Sequence, residues 1–156
     1  MHVIRRWSGR NARLLNFLYR RSRDVLEFIK PLLRGIGYDR LDRPMALIER
    51  PLKSLLFDCR MCGDCALVQT GMVCPMTCPK QLRNGPCGGV RPDGGCEIEP
   101  AMRCVWVVAW DGAKAIDGDA AMAAPMAPVD HRRKDTSAWI NLLRDADAAA
   151  AERARR

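Results

Sequence analysis

All eight cysteines of this 156-residue chain fall between Cys59 and Cys104. The same window alternates Gly63, Gly71, Gly85, Gly88, Gly89, Gly94 and Gly95 with Pro75, Pro79, Pro86 and Pro92. Glycine and proline at that density make turns, not long helices or strands. A turn-rich segment of about fifty residues buries too little apolar surface to fold unaided. Bound metal is therefore expected to supply the missing stability.

The window divides the chain into a basic helical arm (1–58), a cysteine-rich metal-binding core (59–111), and a linker with a C-terminal helix (112–156). The predicted fold class is a small cysteine-rich, metal-stabilised core with little regular structure. An N-terminal amphipathic helical arm and a C-terminal helix flank it. Charge follows the same division. The arm carries 13 Lys/Arg against 6 Asp/Glu, the core 5 against 5 and the tail 8 against 7, so the net +8 lies mostly in the arm. Such an arm suits nucleic acid, an anionic surface or an acidic protein. No run approaches the roughly 18 apolar residues that a bilayer span needs, and no secretory signal is present. The Arg-rich opening up to Arg23 has the composition of a mitochondrial presequence, but the helical periodicity runs on past it. The expected location is cytoplasmic, where thiols stay reduced. Clustered cysteines in that setting point to metal.

In the arm, Leu14, Leu18, Val25, Ile29 and Leu33 recur at helical spacing, widened by Phe17, Leu26 and Phe28. So small a core cannot cover a stripe of that length, and the arm is expected to dock on another subunit. Trp7, Phe17 and Tyr19 lie among arginines, yet their spacing assigns them to the apolar face, so nucleic acid is not an expected partner. Pro31 and Gly35-Ile36-Gly37 should end or kink the helix. A shorter apolar segment, Met45 to Phe57, leads into the cysteines. Val105 to Trp110 reads as a strand or a buried segment closing the core. Gly112 to Asp130 reads as a linker with little fixed structure. Asp135-Thr136-Ser137 caps a last helix carrying Trp139, Ile140, Leu142 and Leu143.

Cys59-x2-Cys62-x2-Cys65 presents three thiolates from one loop, as ferredoxin-type [4Fe–4S] sites do. The fourth ligand of such a site is often followed by proline, a description that fits both Cys74-Pro75 and Cys78-Pro79. Cys87, Cys96 and Cys104 complete the set. Zinc is the alternative. The only histidines, His2 and His131, lie outside the core, so zinc would need four cysteines, and a triple at two-residue spacing leaves one thiol crowding it. Eight cysteines allow two four-cysteine sites, with the grouping open. Arg60, Lys80, Arg83 and Arg103 are positioned to offset a cluster's negative charge, although solvated surface explains each alone. Met72, Met76 and Trp106 would shield it from water, or simply pack. Asp64, Asp93, Glu97 and Glu99 read as solvated acids in turns. There is no Gly-x-Gly-x-x-Gly, no phosphate loop and no core histidine, so no catalytic residue is expected in this chain.

The ordered run Cys59-Arg60-Met61-Cys62-Gly63-Asp64-Cys65, Cys74-Pro75-Met76-Thr77-Cys78-Pro79-Lys80, Leu82-Arg83-Asn84-Gly85-Pro86-Cys87-Gly88-Gly89, Gly95-Cys96-Glu97 and Cys104-Val105-Trp106 resembles a known family. That family is the methylenetetrahydrofolate reductase C-terminal domain, the small V-type subunit of bacterial reductases. The resemblance covers roughly residues 55–111. It implies an iron–sulfur accessory subunit in one-carbon metabolism, with one or two [4Fe–4S] clusters on Cys59, Cys62, Cys65, Cys74, Cys78, Cys87, Cys96 and Cys104. Electrons would pass from a donor protein or an NAD(P)H-linked module to the flavin of a barrel-shaped catalytic subunit that reduces methylenetetrahydrofolate. Flavin is expected in that partner only. The alternative is a zinc-binding structural scaffold of the same kind of complex, without a redox role.

Overall fold

The computed structural model describes residues 2–156, and among them the regular structure is helical, with no strand. The arm forms three helices, α1 (His2–Arg10), α2 (Ala12–Ile36) and α3 (Tyr38–Phe57). Asn11 alone separates α1 from α2; its amide and its side chain both donate to the Trp7 carbonyl, at 3.0 and 2.9 Å. Pro31, expected to end or kink α2, does not end it. Leu26 and Leu33, on either side of that proline, both pack with Leu143 of the last helix. Gly37 is the real stop, with a φ of 98° that glycine alone adopts freely.

The apolar stripe read from the sequence is split by the fold. Leu33 is buried and Ile29 packs beside it, together with Leu26. Leu14, Leu18 and Val25 are more than half exposed, as are Phe17, Phe28 and Leu32. At roughly 100° per residue, these lie on the flank of the line Leu15–Leu26–Leu33 that faces inward. On α3, Leu47, Ile48 and Leu55 are likewise more than half exposed.

Val105 to Trp110, expected as a strand or buried segment, is buried but helical: it opens α4 (Val105–Ala115). The buried positions Val105, Val108, Ala109 and Gly112 step by three and four, a pattern visible only when the small residues after Trp110 are counted. Those small residues let other backbones approach. Gly71 lies against the Ala109 carbonyl and the Ala113 amide, and Gly9 of α1 lies against Val108. The segment Gly112 to Asp130, read as a linker, also has fixed structure. It holds a short helix α5 (Asp119–Ala123) and then a strap tied to the core. Asn84 clamps Met126 through two hydrogen bonds, from its side-chain amide to the Met126 carbonyl (2.9 Å) and from the Met126 amide to its Oδ1 (2.7 Å). The predicted last helix is present as α6 (Ala138–Arg155), capped by Ser137.

Between α3 and α4, residues 58–104 contain a single 3-10 turn, Pro75–Thr77, and an isolated bridge from Gly95 to Arg103. The expectation of little regular structure holds for this stretch, while the whole chain is mostly helical. The tightest crossing yields a test. Gly71 has a φ of +56°, and a Cβ there would overlap the backbone of α4. Gly71→Ala should cost about 3 kcal/mol or more, a fall of roughly 6–12 °C in Tm. Gly35→Ala, at a helical position with nothing within 4 Å, should instead stabilise by about 0.5–1 kcal/mol. Thermal melts of the two variants check both signs.

Candidate metal centre

The loop after α3 is bent by residues in the left-handed region: Asp58 (φ 53°), Met61 (48°) and Gly63 (77°), with Met72 (62°) just before Cys74. Such conformations cost about 1–3 kcal/mol each for residues other than glycine, so their surroundings must hold them. The tail does this. The Asp135 amide donates to the Met61 carbonyl (2.8 Å), and the Asn141 side chain donates to the Gly63 carbonyl (2.8 Å). A Cβ on Gly63 would overlap the Arg133 backbone. So held, Cys59, Cys62, Cys65 and Cys74 line one cavity, walled by Phe57, Met61, Leu67 and Met76.

The other four cysteines line a second cavity: Cys78, Cys87, Cys96 and Cys104, with Val90, Met102, Val105 and Trp106. The Cys96 amide donates to the Met102 carbonyl and the Cys104 amide to the Gly94 carbonyl, both at 2.9 Å. Cys104 directly precedes α4, where the helix dipole favours negative charge. The eight thiols thus line two cavities, four to each. They meet at the turn Pro75–Thr77, whose flanking Cys74 and Cys78 are at most about 14 Å apart along the chain. The buried Arg5 of α1 donates to the Thr77 carbonyl (3.2 Å). An open groove lined by Arg5, Arg60, His131 and Lys134 touches both Cys62 and Cys78. All eight thiols are free. Among the described residues, no three His, Cys, Asp or Glu side chains gather as a site for a single metal ion.

Burial pushes the Cys74 thiol up to about 12, with the neighbouring Cys59 and Cys65 adding to it. Burial also raises Cys59 to about 11, although the Met61 amide, 3.4 Å from its sulfur, works the other way. A bound cation reverses this preference and holds the sulfurs as thiolates. The donor set, four thiols around each cavity with the protein's own charges nearby, fits an iron–sulfur cluster chemically.

Of the cations expected near the cysteines, Arg83 is buried against the first cavity and pairs with Asp64 at 2.5 Å. Lys80 pairs with Glu97 beside the second cavity, and the Cys87 thiol donates to the same carboxylate (3.3 Å). Asp64 and Glu97 are therefore engaged acids, not merely solvated ones, and Asp93 accepts from the Gly95 amide (2.8 Å). Arg60 and Arg103 are exposed, at 3.6 Å from Asp58 and 3.3 Å from Asp111. Met76 and Trp106 line the two cavities, while Met72 is fully buried in the cluster with Phe57 and Cys74.

The sequence reading missed three residues. Lys53 and Glu49, both almost wholly buried, form an ion pair at 2.5 Å and line the first cavity. Burial alone would lower the Lys53 pKa, but Cys65 and Glu49 outweigh it and the net shift is upward. Tyr19 of α2 packs in one cluster with Cys65, and burial together with that sulfur raises its pKa. The available signal was a Glu–Lys pair four residues apart within an apolar segment.

Residues 38–132 match the family model described as methylene-tetrahydrofolate reductase C terminal. The match is wider than the resemblance over residues 55–111, and it takes in α3, α4, α5 and the strap. No curated protein and no solved structure matches the chain.

The raised thiols carry a pH signature. A thiol pushed up to about 12 gains thiolate tenfold per pH unit well past pH 9, where an ordinary thiol saturates. Iodoacetamide alkylation of metal-free protein, resolved by mass spectrometry, should show the Cys74 rate still climbing between pH 9 and 10.5. A Cys74 profile that levels off near pH 9, in metal-free protein whose melting curve shows it folded, would contradict the buried placement.

Proposed function

The chain belongs to the methylene-tetrahydrofolate reductase C-terminal family, and on that footing we propose that it is an iron–sulfur accessory subunit of such a reductase, relaying electrons to the flavin of a separate catalytic subunit. One observation carries the reading: the eight thiols divide into two sets of four, each facing its own apolar-walled cavity. When bound, a four-iron cluster accepts and releases electrons singly. The chain's own residues do the rest. Four thiols per cavity hold the group, and Phe57, Met76 and Trp106 keep water from it. Arg83 and Lys53 set positive charge against the first set.

The geometry suits a cluster better than mononuclear zinc. A tetrahedral zinc site with bonds of about 2.3 Å draws its sulfurs together around one point, and among the described residues no three His, Cys, Asp or Glu side chains gather in that way. No helix of the described residues is long and apolar enough to cross a membrane. The catalytic subunit would meet the exposed apolar flank of the arm, where Leu14, Leu18, Val25, Phe28 and Leu32 on α2 and Leu47, Ile48 and Leu55 on α3 are uncovered. Apolar surface on that scale marks a protein interface, and the arm's arginines would steer an acidic partner toward it.

Two measurements test this. Anaerobically purified protein should be brown, with iron and acid-labile sulfide in near-equal amounts. Cys62→Ser should remove the first site's share and leave the second's, with Cys96→Ser doing the reverse. Colourless protein with stoichiometric zinc would replace this reading by the structural-scaffold one.

For the partner, Phe28→Asp combined with Leu32→Asp, both at exposed positions, should abolish co-purification of the catalytic subunit while cluster content and melting are unchanged. Retention of the complex would place the interface elsewhere.

A further inference from the structure

Lys53 and Glu49 are an expensive feature in a small protein. Their side chains are 2% and 1% exposed, and taking two charges out of water is seldom repaid in stability. The structure nonetheless spends several groups on holding them. Glu49 Oε1 accepts from Lys53 at 2.5 Å, while Oε2 accepts from the Ser137 hydroxyl at 2.6 Å and from the Trp139 amide at 3.4 Å. The carboxylate thus sits at the amino end of α6, which favours negative charge. The ammonium lies over two rings, 5.6 Å from the centroid of Tyr19 and 5.2 Å from that of Trp139, as a desolvated cation prefers. Its hydrogen-bond partner and the two ring faces fix where it sits, on the wall of the cavity lined by Cys59, Cys62, Cys65 and Cys74.

The second cavity has no counterpart. Its lining charges are Lys80 and Glu97, an exposed pair with side chains 40% and 35% accessible, which solvent screens. The two sets of thiols therefore differ in a respect that bears on electron affinity: the lining of the first cavity holds two buried cations, Lys53 and Arg83, that of the second holds none, and the buried Arg5 lies at the turn between the two sets.

We propose that Lys53 is a positioning residue for redox poise, raising the reduction potential of a cluster on Cys59, Cys62, Cys65 and Cys74 above that of its neighbour, so that an electron arriving at either site settles at the first. This rests on the iron–sulfur reading above. One-electron reduction adds one negative charge to the thiolate-bound group and moves no proton. A buried cation stabilises the reduced form more than the oxidised one, and the low local dielectric enlarges the difference. Glu49 opposes this in part: its Oε2 is turned to Ser137 and the end of α6 while its Oε1 is bound to Lys53, and Cys65 is among the groups that hold Lys53 charged. Ser137 and Trp139 lie beyond the family-matched residues 38–132, so the tail completes this arrangement.

The test is a redox titration of the full-length protein, followed by electron paramagnetic resonance, after iron and sulfide have been assayed. Wild type should show two separable reduction steps. Lys53→Met should move the higher step to more negative potential and narrow the gap, leaving the lower step in place. Lys53→Arg should restore most of the separation, which a purely structural role would not predict. Because Lys53→Met strands a buried carboxylate, the double variant Lys53→Met with Glu49→Gln serves where the single one does not fold, and should shift the same step in the same direction by less. Lys80→Met should leave the higher step unmoved. Full iron content with an unshifted higher step in a folded variant would overturn the role of Lys53. Absence of iron and sulfide from wild type would overturn the underlying reading instead.

Discussion

Residues 58–104 make almost no repeating backbone hydrogen bonds, so their shape depends on what surrounds and what fills them. Turns of this kind carry few apolar side chains per residue, and conformational entropy works against them at every position. The chain meets part of that cost by tying the loops to helices at both ends. α3 ends directly in the first thiol loop, α4 begins directly after the last cysteine, and α1 packs on α4. The loops are thus anchored at both ends by helices, while residues 84–93 and 97–101 include no buried position.

That arrangement gives the arm two kinds of work. On one side, α2 and α3 supply Tyr19, Glu49, Lys53 and Phe57 to the first thiol set and its surroundings. On the flank, the same two helices leave a run of large apolar side chains in solvent.

How much of this was legible in the sequence follows the range of the interactions. The cysteine triple, the helical arm and the Ser137 cap are local patterns, and each is where the spacing put it. The buried helix at Val105 was misread because Gly112 and Ala113 carry no hydrophobic signal, although their smallness is what lets Gly71 reach the helix. The segment Gly112 to Asp130 looked like a linker because Asn84 and Arg83, which tie down Met126 and Ala127, lie more than forty positions earlier. The grouping of the cysteines was not legible at all. Both Cys74 and Cys78 precede a proline, and only the three-dimensional path shows that the turn between them separates one cavity from the other.

The two halves of the core also differ in where their costs fall. Asp58, Met61 and Met72, all in the left-handed region, flank the first thiol set, and the buried ion pair stands on its wall. The second set sits within the larger apolar cluster, with Cys96 and Cys104 packed among Val73, Met102, Val105, Trp106 and Ala109. Strain and buried charge lower stability wherever they occur, and they persist only where the surroundings over-determine them. Here the over-determination comes from the tail. Asn141, Asp135 and Ser137 are the groups that bind the Gly63 carbonyl, the Met61 carbonyl and Glu49. The first site is therefore built from three distant parts of the chain, and the second almost wholly from one. An arrangement assembled from remote parts is the costlier to maintain, and it places chosen charges next to chosen sulfurs in a way that a single short loop cannot.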